Sequence, residues 1–120
     1  MRNAMNWKMA TALLGLWAGA AGSAQAAPLN AAGEGRRLFL ELNCYSCHGM
    51  YAAGGMAKSI VHAETGDLRE AVMQGEDGGM PSFRRYVNDK DIKRLSAYLQ
   101  SIGTAKEPKF MDWWEDIPPK

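Results

Sequence analysis

Apolar residues recur at helical spacing in three segments of the chain, which predicts three main helices and little strand. The segments span residues 30–43, 66–74 and 89–101. Glycine-rich stretches separate them, and the sequence shows no internal repeat and no linker between domains. The pattern therefore predicts an all-α fold with glycine-rich loops between the helices.

The first predicted helix has an apolar face and one unusual residue. The face consists of Leu38, Phe39 and Leu42. Gly35 lies inside the same helix, although glycine costs about 1 kcal/mol there relative to alanine. A second helix that crosses closely at this point would explain the glycine, and Tyr98 of the third helix is placed to meet it.

Capping residues mark where the other two helices begin. Asn88 is placed to cap the third helix. The apolar stripe of that helix consists of Ile92, Leu95 and Leu99. Asp67 and Glu70 are the capping candidates of the second helix.

The first 26 residues have the pattern of a secretory signal peptide. Arg2 and Lys8 precede an apolar run from Met9 to Ala21, and residues 24–26 read Ala-Gln-Ala. This order predicts cleavage before Ala27. Because the apolar run is shorter than the roughly 20 residues of a membrane-spanning helix, no span is expected after cleavage. We expect a soluble, periplasmic mature protein.

Removal of residues 1–26 leaves one small domain, expected at 27–103, and a tail at 104–120 that is rich in proline and aromatic residues. The mature chain has 12 basic and 13 acidic residues and a formal charge of −1. It has no basic run and no phosphate-binding motif, so nucleic acid is not an expected partner. The tail is expected to pack on the protein's own surface or, alternatively, to help bind a partner.

Residues 44–48 read Cys-Tyr-Ser-Cys-His, the C-x-x-C-H signature of covalent haem attachment. Each thiol can add to one vinyl group of the porphyrin, and the histidine that follows is then directed at the iron. Cys44 and Cys47 are the candidate thioether residues, and His48 is the candidate proximal ligand. A bound porphyrin would enlarge the core of so small a domain, so we expect the haem-free chain to be poorly folded.

Three other kinds of site use similar residues. A structural zinc site needs four ligands, and the chain offers only the motif residues and the distant His62. A thioredoxin-like dithiol follows a strand, but no strand pattern precedes Cys44. A disulfide between Cys44 and Cys47 would close too short a loop to stabilise the fold much. Haem attachment is the interpretation that the sequence favours.

The order of the motifs resembles that of class I cytochromes c. The matching residues are Gly35-x-x-x-Phe39, Cys44-x-x-Cys47-His48, Gly79-Met80-Pro81 and Leu95-x-x-Tyr98-Leu99. The resemblance extends from Gly33 to Gly103 and implies a class I cytochrome c fold around one covalently attached haem c. It also implies that the first and last helices cross and that a later methionine is the sixth iron ligand.

Met80 is the candidate for this sixth ligand. It lies in a Gly-Gly-Met-Pro turn 32 residues after His48, which leaves enough chain to reach the opposite face of the haem. Pro81 favours an extended conformation at Met80. Met56 is the alternative, whereas Met73 is expected to fill the core. Thioether ligation is expected to raise the reduction potential.

A finer resemblance concerns the partner. Residues 35–40, 43–49, 54–56 and 101–103 are similar to those of small cytochromes that accept electrons from pyrroloquinoline-quinone alcohol dehydrogenases, the ethanol type in particular. This resemblance implies a periplasmic carrier of single electrons, not an enzyme, with a terminal oxidase or another cytochrome as acceptor. The alternatives are a general shuttle without a dedicated dehydrogenase and a five-coordinate haem sensor or peroxidase-like protein.

The surroundings of the haem can also be anticipated. In the family, a carbonyl of a Gly-Pro step accepts from the proximal histidine, and here Ala57-Lys58 takes that place without proline. The candidate wall residues are Tyr51, Ile60, Val61, Leu68, Val72, Phe83 and Leu95. The candidates for contact with the propionates are Arg36, Arg69, Arg84 and Tyr86. A solvated surface position is the expectation for each of these arginines.

Overall fold

The computed structural model describes residues 28–114, together with the isolated positions 15 and 19. Its helices are α1 (Ala31–Glu41), α2 (Tyr45–His48), α3 (Thr65–Gln74) and α4 (Asp89–Ser101). Over this part of the chain there is no strand, and one isolated bridge pairs Glu76 with Met80. The predicted all-α fold is confirmed, with α2 as an additional single turn. Apart from positions 15 and 19, the predicted signal peptide lies outside the described residues.

The crossing of α1 and α4 is the main contact between helices. At Gly35 an added Cβ would overlap the backbone carbonyl of Arg94 and lie 2.8 Å from the Cβ of Tyr98. Next to this point the rings of Phe39 and Tyr98 are tilted against each other, with centroids 5.3 Å apart. The predicted close crossing at Gly35 is therefore confirmed, because only glycine lets the two backbones approach this closely.

The buried face of α1 differs from the predicted face. Phe39 and Leu40 are almost completely buried, and Arg36 lies beside them with no exposed surface. Leu38 and Leu42 are only partly buried. Arg36, Phe39 and Leu40 occupy positions i, i+3 and i+4, which share one face of a helix. The predicted face contained only apolar residues and therefore did not include Arg36.

Helices α3 and α4 begin in different ways. Asn88 caps α4, and a capping box is completed by Asp91, whose carboxylate accepts from the backbone N–H of Asn88 at 3.0 Å. The predicted stripe of α4 is buried, and it belongs to the same core cluster as Leu68 and Val72 of α3. The N-cap of α3 is Glu64, which makes no side-chain capping bond, so the predicted caps Asp67 and Glu70 are wrong.

The described part of the C-terminal segment folds back on the domain. Phe110 and Trp113 pack against the core, whereas Trp114 is exposed. The carboxylate of Glu107 accepts from the backbone N–H of Gly103 at 3.0 Å, which fixes the turn after α4. Through residue 114, the expectation that this segment packs on the protein's own surface is confirmed.

We also find that none of the helices in the described ranges has the length and apolar character needed to cross a bilayer.

Candidate haem-binding site

One cavity collects the residues that the sequence singled out. Its volume is about 600 Å³, within the range of about 300–1,000 Å³ that is typical of cofactor and ligand sites. Its lining includes Cys44, Cys47, His48, Met56 and Met80. Residues distant in sequence thus meet here: the C-x-x-C-H motif, the alternative methionine and the Gly-Gly-Met-Pro turn.

The motif begins directly where α1 ends. Asn43 has a φ of 57°, a left-handed conformation that asparagine tolerates better than most residues. The backbone N–H of Cys44 then donates to the carbonyl of Phe39 at 3.0 Å, and Cys44 becomes the N-cap of α2. The single turn of α2 places both cysteines and His48 on the lining of one cavity.

The two thiols have different environments in this structure. Cys44 is partly buried, and desolvation raises the pKa of its thiol to about 11. Cys47 is exposed. The inner thiol is therefore held in its neutral form, and the outer thiol is open to solvent.

A loop after the motif holds the imidazole of His48. Its Nδ1 lies 2.8 Å from the carbonyl oxygen of Lys58, so that an N–H on Nδ1 donates to this carbonyl. The backbone N–H of Ala57 donates to Cys47 O at 2.9 Å, and that of Gly54 donates to His48 O at 2.8 Å. These bonds tie the loop to α2. Backbone hydrogen bonds therefore restrict the conformation of the loop at Ala57-Lys58, where the family has a proline. The expected carbonyl partner of His48 is confirmed, and Nε2 is left for a metal.

A second loop carries Met80 on another part of the lining. The backbone N–H of Glu76 donates to Met80 O at 3.0 Å, which closes a tight turn. Within the turn Gly78 and Gly79 have φ values of 106° and 112°, a conformation that residues with a Cβ rarely adopt. Met80 is partly buried, whereas the side chain of Met56 is 86% exposed.

One ion pair connects the two loops at the rim of the cavity. Lys58 Nζ lies 4.0 Å from Glu76 Oε1, and both side chains are largely exposed. Such a pair contributes little to stability in water. It nevertheless brings the loop beside His48 and the loop of Met80 together on one side of the cavity.

Most of the predicted wall residues lie elsewhere. Phe83 lines the cavity, as does Leu42, which the sequence placed only on the face of α1. Leu68, Val72 and Leu95 belong instead to the buried core between the helices. Leu42 lies only two residues before Cys44, and this closeness in sequence could have predicted that it lines the cavity.

The candidates for contact with propionates also have other partners. Arg69 pairs with Asp89 at 2.5 Å on the surface, and this contact holds the pKa of the Asp89 carboxyl below its usual value. Arg84 donates to Met73 O at 3.2 Å and to Gln74 Oε1 at 3.0 Å. The expectation of a solvated Arg36 is wrong, because its side chain is completely buried.

His62 takes no part in the cavity. Its Nε2 lies 2.9 Å from the carbonyl oxygen of Ile102, and its backbone N–H donates to Leu99 O. It therefore binds the C-terminal end of α4, a place where carbonyls lack partners within the helix.

The residues present suit a covalently bound porphyrin. Two thiols, an imidazole nitrogen and a thioether sulfur line a cavity whose other walls include the apolar side chains of Leu42, Pro81 and Phe83. Thiols form the thioether links of haem c, and His and Met are the usual axial ligands of cytochromes c.

Comparison with known proteins agrees with this chemistry. The family model described as "Cytochrome C oxidase, cbb3-type, subunit III" matches residues 30–99, more than half of the chain. The chain belongs to this family of cytochrome c domains. It is accordingly a monohaem c-type cytochrome domain with covalently bound haem c, and it takes part in electron transfer with redox partners.

Individual relatives are similar over different shares of their length. Cytochrome c55X of Paracoccus denitrificans is 31% identical over 91 residues, which cover 70% of this chain and 88% of the relative. The FixP subunit of a cbb3-type cytochrome c oxidase of Bradyrhizobium diazoefficiens is 27% identical over 84 residues, which cover 62% of this chain. The chain spans only 29% of that subunit.

A solved structure shares the fold. Cytochrome cL of Hyphomicrobium denitrificans superimposes with a TM-score of 0.53 at 21% identity, over 62% of this chain and 50% of that protein. The predicted cytochrome c fold is thereby confirmed.

Proposed function

We propose that this protein carries single electrons from a quinoprotein alcohol dehydrogenase to a terminal oxidase or another cytochrome. In this proposal Cys44 and Cys47 bind the haem covalently, and His48 and Met80 are its axial ligands. The observation that carries the proposal is the cavity, which is lined by all four of these side chains.

The roles of the four residues follow from their chemistry. Haem bound in the cavity supplies one-electron chemistry, because its iron is stable in both the ferrous and the ferric state. The bond from His48 Nδ1 to Lys58 O fixes the imidazole and leaves Nε2 to bind iron. The thioether of Met80, which lines the same cavity, would supply the second axial ligand. With both axial positions taken in this way, the iron would have no site for a substrate, so we infer electron carriage and not catalysis.

Met80 is preferred to Met56 because its side chain is partly buried, whereas the side chain of Met56 is 86% exposed. A backbone hydrogen bond closes the turn that carries Met80, and Pro81 restricts its conformation. Met56 lies in the loop whose backbone is hydrogen-bonded to the carbonyls of His48 and Cys47. It therefore belongs to the same segment as the groups that hold the proposed proximal ligand.

The proposed partners rest on resemblance. Residues 35–40, 43–49 and 54–56 are similar to those of cytochromes that accept electrons from quinoprotein alcohol dehydrogenases. Relatives named as subunits of cbb3-type oxidases support an oxidase on the acceptor side. Contact with either partner is expected to be small and transient, as is usual for redox encounters.

The test of the donor is a reduction experiment. The oxidised, haem-loaded protein is mixed with a quinoprotein ethanol dehydrogenase and ethanol, and haem absorption is followed over time. We expect fast appearance of a ferrous c-type spectrum that requires both the dehydrogenase and ethanol. A low-spin ferric protein that stays oxidised under these conditions, but is reduced by a small chemical reductant, would contradict the proposed donor and leave the cytochrome assignment intact.

We further propose export and removal of residues 1–26, followed by a cytochrome domain at 27–103 and a tail at 104–120. Support comes from the sequence pattern of the N-terminus and from the need for haem attachment outside the cytoplasm. The mass of the protein purified from the periplasm tests this. A mature N-terminus at Ala27 is expected, and a full-length mass would contradict it.

A further inference from the structure

Arg36 is a fully buried cation whose hydrogen-bond acceptors are all neutral. Its guanidinium donates to the carbonyl of Met50, to the hydroxyl of Tyr98 at 2.8 Å and to the carbonyl of Phe110 at 3.2 Å. The thioether sulfur of Met111 lies 3.7 Å from Nη2. Among the described residues, no carboxylate forms an ion pair with it. Its charge is therefore hydrogen-bonded but has no direct ion-pair partner, and the nearby carboxylate of Glu107 is bound instead by the backbone N–H of Gly103 and by Lys109.

Aromatic rings complete the surroundings of the guanidinium. Its carbon lies 5.3 Å from the ring centroid of Tyr51, 5.4 Å from that of Tyr98 and 5.8 Å from that of Phe39. These distances allow cation–π attraction, which is stronger where water is excluded. Since an arginine side chain stays protonated in proteins, this site holds a permanent positive charge.

The charge lies close to the haem-binding cavity. Arg36 binds the backbone of Met50, two residues after His48. Leu42 lines the cavity and follows Arg36 by six residues along the same helix, an axial rise of about 9 Å. Between buried groups at such distances, neither water nor salt screens the interaction as it does at the surface.

We propose that Arg36 raises the reduction potential of the haem through its buried charge, which has no direct ion-pair partner. Ferric haem has one more positive charge than ferrous haem, so a nearby buried cation disfavours the ferric form. Phe110 and Met111 cover the guanidinium and keep water away from it. The influence of its charge on the haem is therefore not weakened by solvent. The inference requires haem in the cavity and is independent of the identity of the electron donor.

The first test is an equilibrium redox titration of the haem-loaded, full-length protein. Arg36→Gln is expected to lower the midpoint potential, whereas Arg36→Lys keeps the charge and is expected to stay closer to the unsubstituted protein. The matched control is Arg37→Gln, which removes the same charge from the next residue, where the side chain is 34% exposed. We expect a smaller shift for this control because the charge of Arg37 is partly exposed to water and lies 4.0 Å from the carboxylate of Glu34.

Two results would overturn the inference. One is an Arg36→Gln shift no larger than that of Arg37→Gln. The other is an equal fall for Arg36→Gln and Arg36→Lys, which would assign the effect to packing instead of charge. Retention of the low-spin spectrum in each variant separates these results from a loss of axial ligation.

A second pair of variants leaves Arg36 in place. Met111 is 47% exposed and touches the guanidinium, so a carboxylate is tolerated there and can pair with Arg36. Met111→Glu is expected to lower the midpoint potential relative to the neutral, similarly shaped Met111→Gln. Equal potentials for these two variants would overturn the inference even if Arg36→Gln failed to fold.

Discussion

Tyr98 joins the helix core to the buried charge of Arg36. Its side chain has no exposed surface, and its hydroxyl accepts from Arg36. Burial raises the pKa of Tyr98 above the ordinary value of about 10, although the nearby guanidinium acts in the opposite direction. Ionisation of this phenol should therefore be coupled to unfolding.

The sign of this coupling follows from the direction of the pKa shift. Above about pH 10 the unfolded chain releases the phenolic proton while the folded protein retains it, so the free energy of unfolding falls as pH rises. One such group contributes a slope of at most about 1.4 kcal/mol per pH unit. The slope ends once pH exceeds the pKa in the folded state.

Replacement of Tyr98 by phenylalanine tests this coupling. Tyr98→Phe should flatten the fall in stability above pH 10, and at neutral pH it should cost about 1.5–3 kcal/mol, because a hydrogen bond to a charged group is lost. Urea unfolding of the haem-loaded protein between pH 8 and pH 11 measures both effects. Tyr86→Phe is the control, since Tyr86 is 72% exposed and its loss should leave the slope unchanged. A Tyr98→Phe slope as steep as the parent slope would refute the coupling.

At the scale of helices, the close approach of α1 to α4 is most sensitive at Gly35. A methyl group at this position would overlap the carbonyl of Arg94, so the backbones must separate. Gly35→Ala is therefore expected to lower the free energy of unfolding by about 1–3 kcal/mol, the usual cost of overpacking a core. Chemical unfolding of the haem-loaded protein measures this loss.

Gly66→Ala is the matched control for that substitution. Gly66 lies in α3, and an added Cβ there would meet no atom within 4 Å. Alanine is the better helix former, so this variant should be more stable by about 0.4–1 kcal/mol. If Gly35→Ala were as stable as Gly66→Ala, the two helices could not cross as closely as described.

The helices that could be predicted from the sequence are those with strong local signals. Asn88 and the apolar stripe of α4 predicted its bounds correctly, since a cap and a regular period act within the helix itself. The buried face of α1 was predicted incorrectly because Arg36 was treated as a surface charge. Its burial depends on acceptors from Met50, Tyr98 and Phe110, which are far apart in sequence.

The site shows the same division between local and distant signals. Cys44, Cys47 and His48 form a continuous motif, so their meeting in one place could be predicted from their spacing. Met80 was singled out by its Gly-Gly-Met-Pro turn, and it lines the same cavity. Most wall residues could not be assigned, because an apolar side chain in so small a domain suits the helix core as well as the cavity.

At the scale of the whole molecule, the domain consists of a helix core and of loops that line the cavity. The crossing of α1, α3 and α4 forms one buried core, whereas two loops at 49–60 and 75–83 provide walls of the cavity. A domain of this size buries a small share of its apolar surface, and a covalently bound porphyrin would add to what is buried. The loops should then depend on haem for their order.

Amide hydrogen exchange tests this dependence. We expect the haem-free chain to lose protection relative to the haem-loaded protein, first in the two loops and then in the helices, because the loops lose their main apolar contact. The haem-loaded protein under the same conditions is the reference. Comparable protection of the two forms would show that the helix core folds without the cofactor.

The most direct test of the central claim compares the ferric spectra of the haem-loaded protein, Met80→Ala and Met56→Ala. We predict a low-spin spectrum with the charge-transfer band of methionine ligation for the unsubstituted protein and for Met56→Ala. Met80→Ala should lose that band, become high-spin and show a lower reduction potential, because its thioether no longer binds the iron. An unchanged spectrum of Met80→Ala, or loss of the band in Met56→Ala, would contradict the proposed His48 and Met80 ligation.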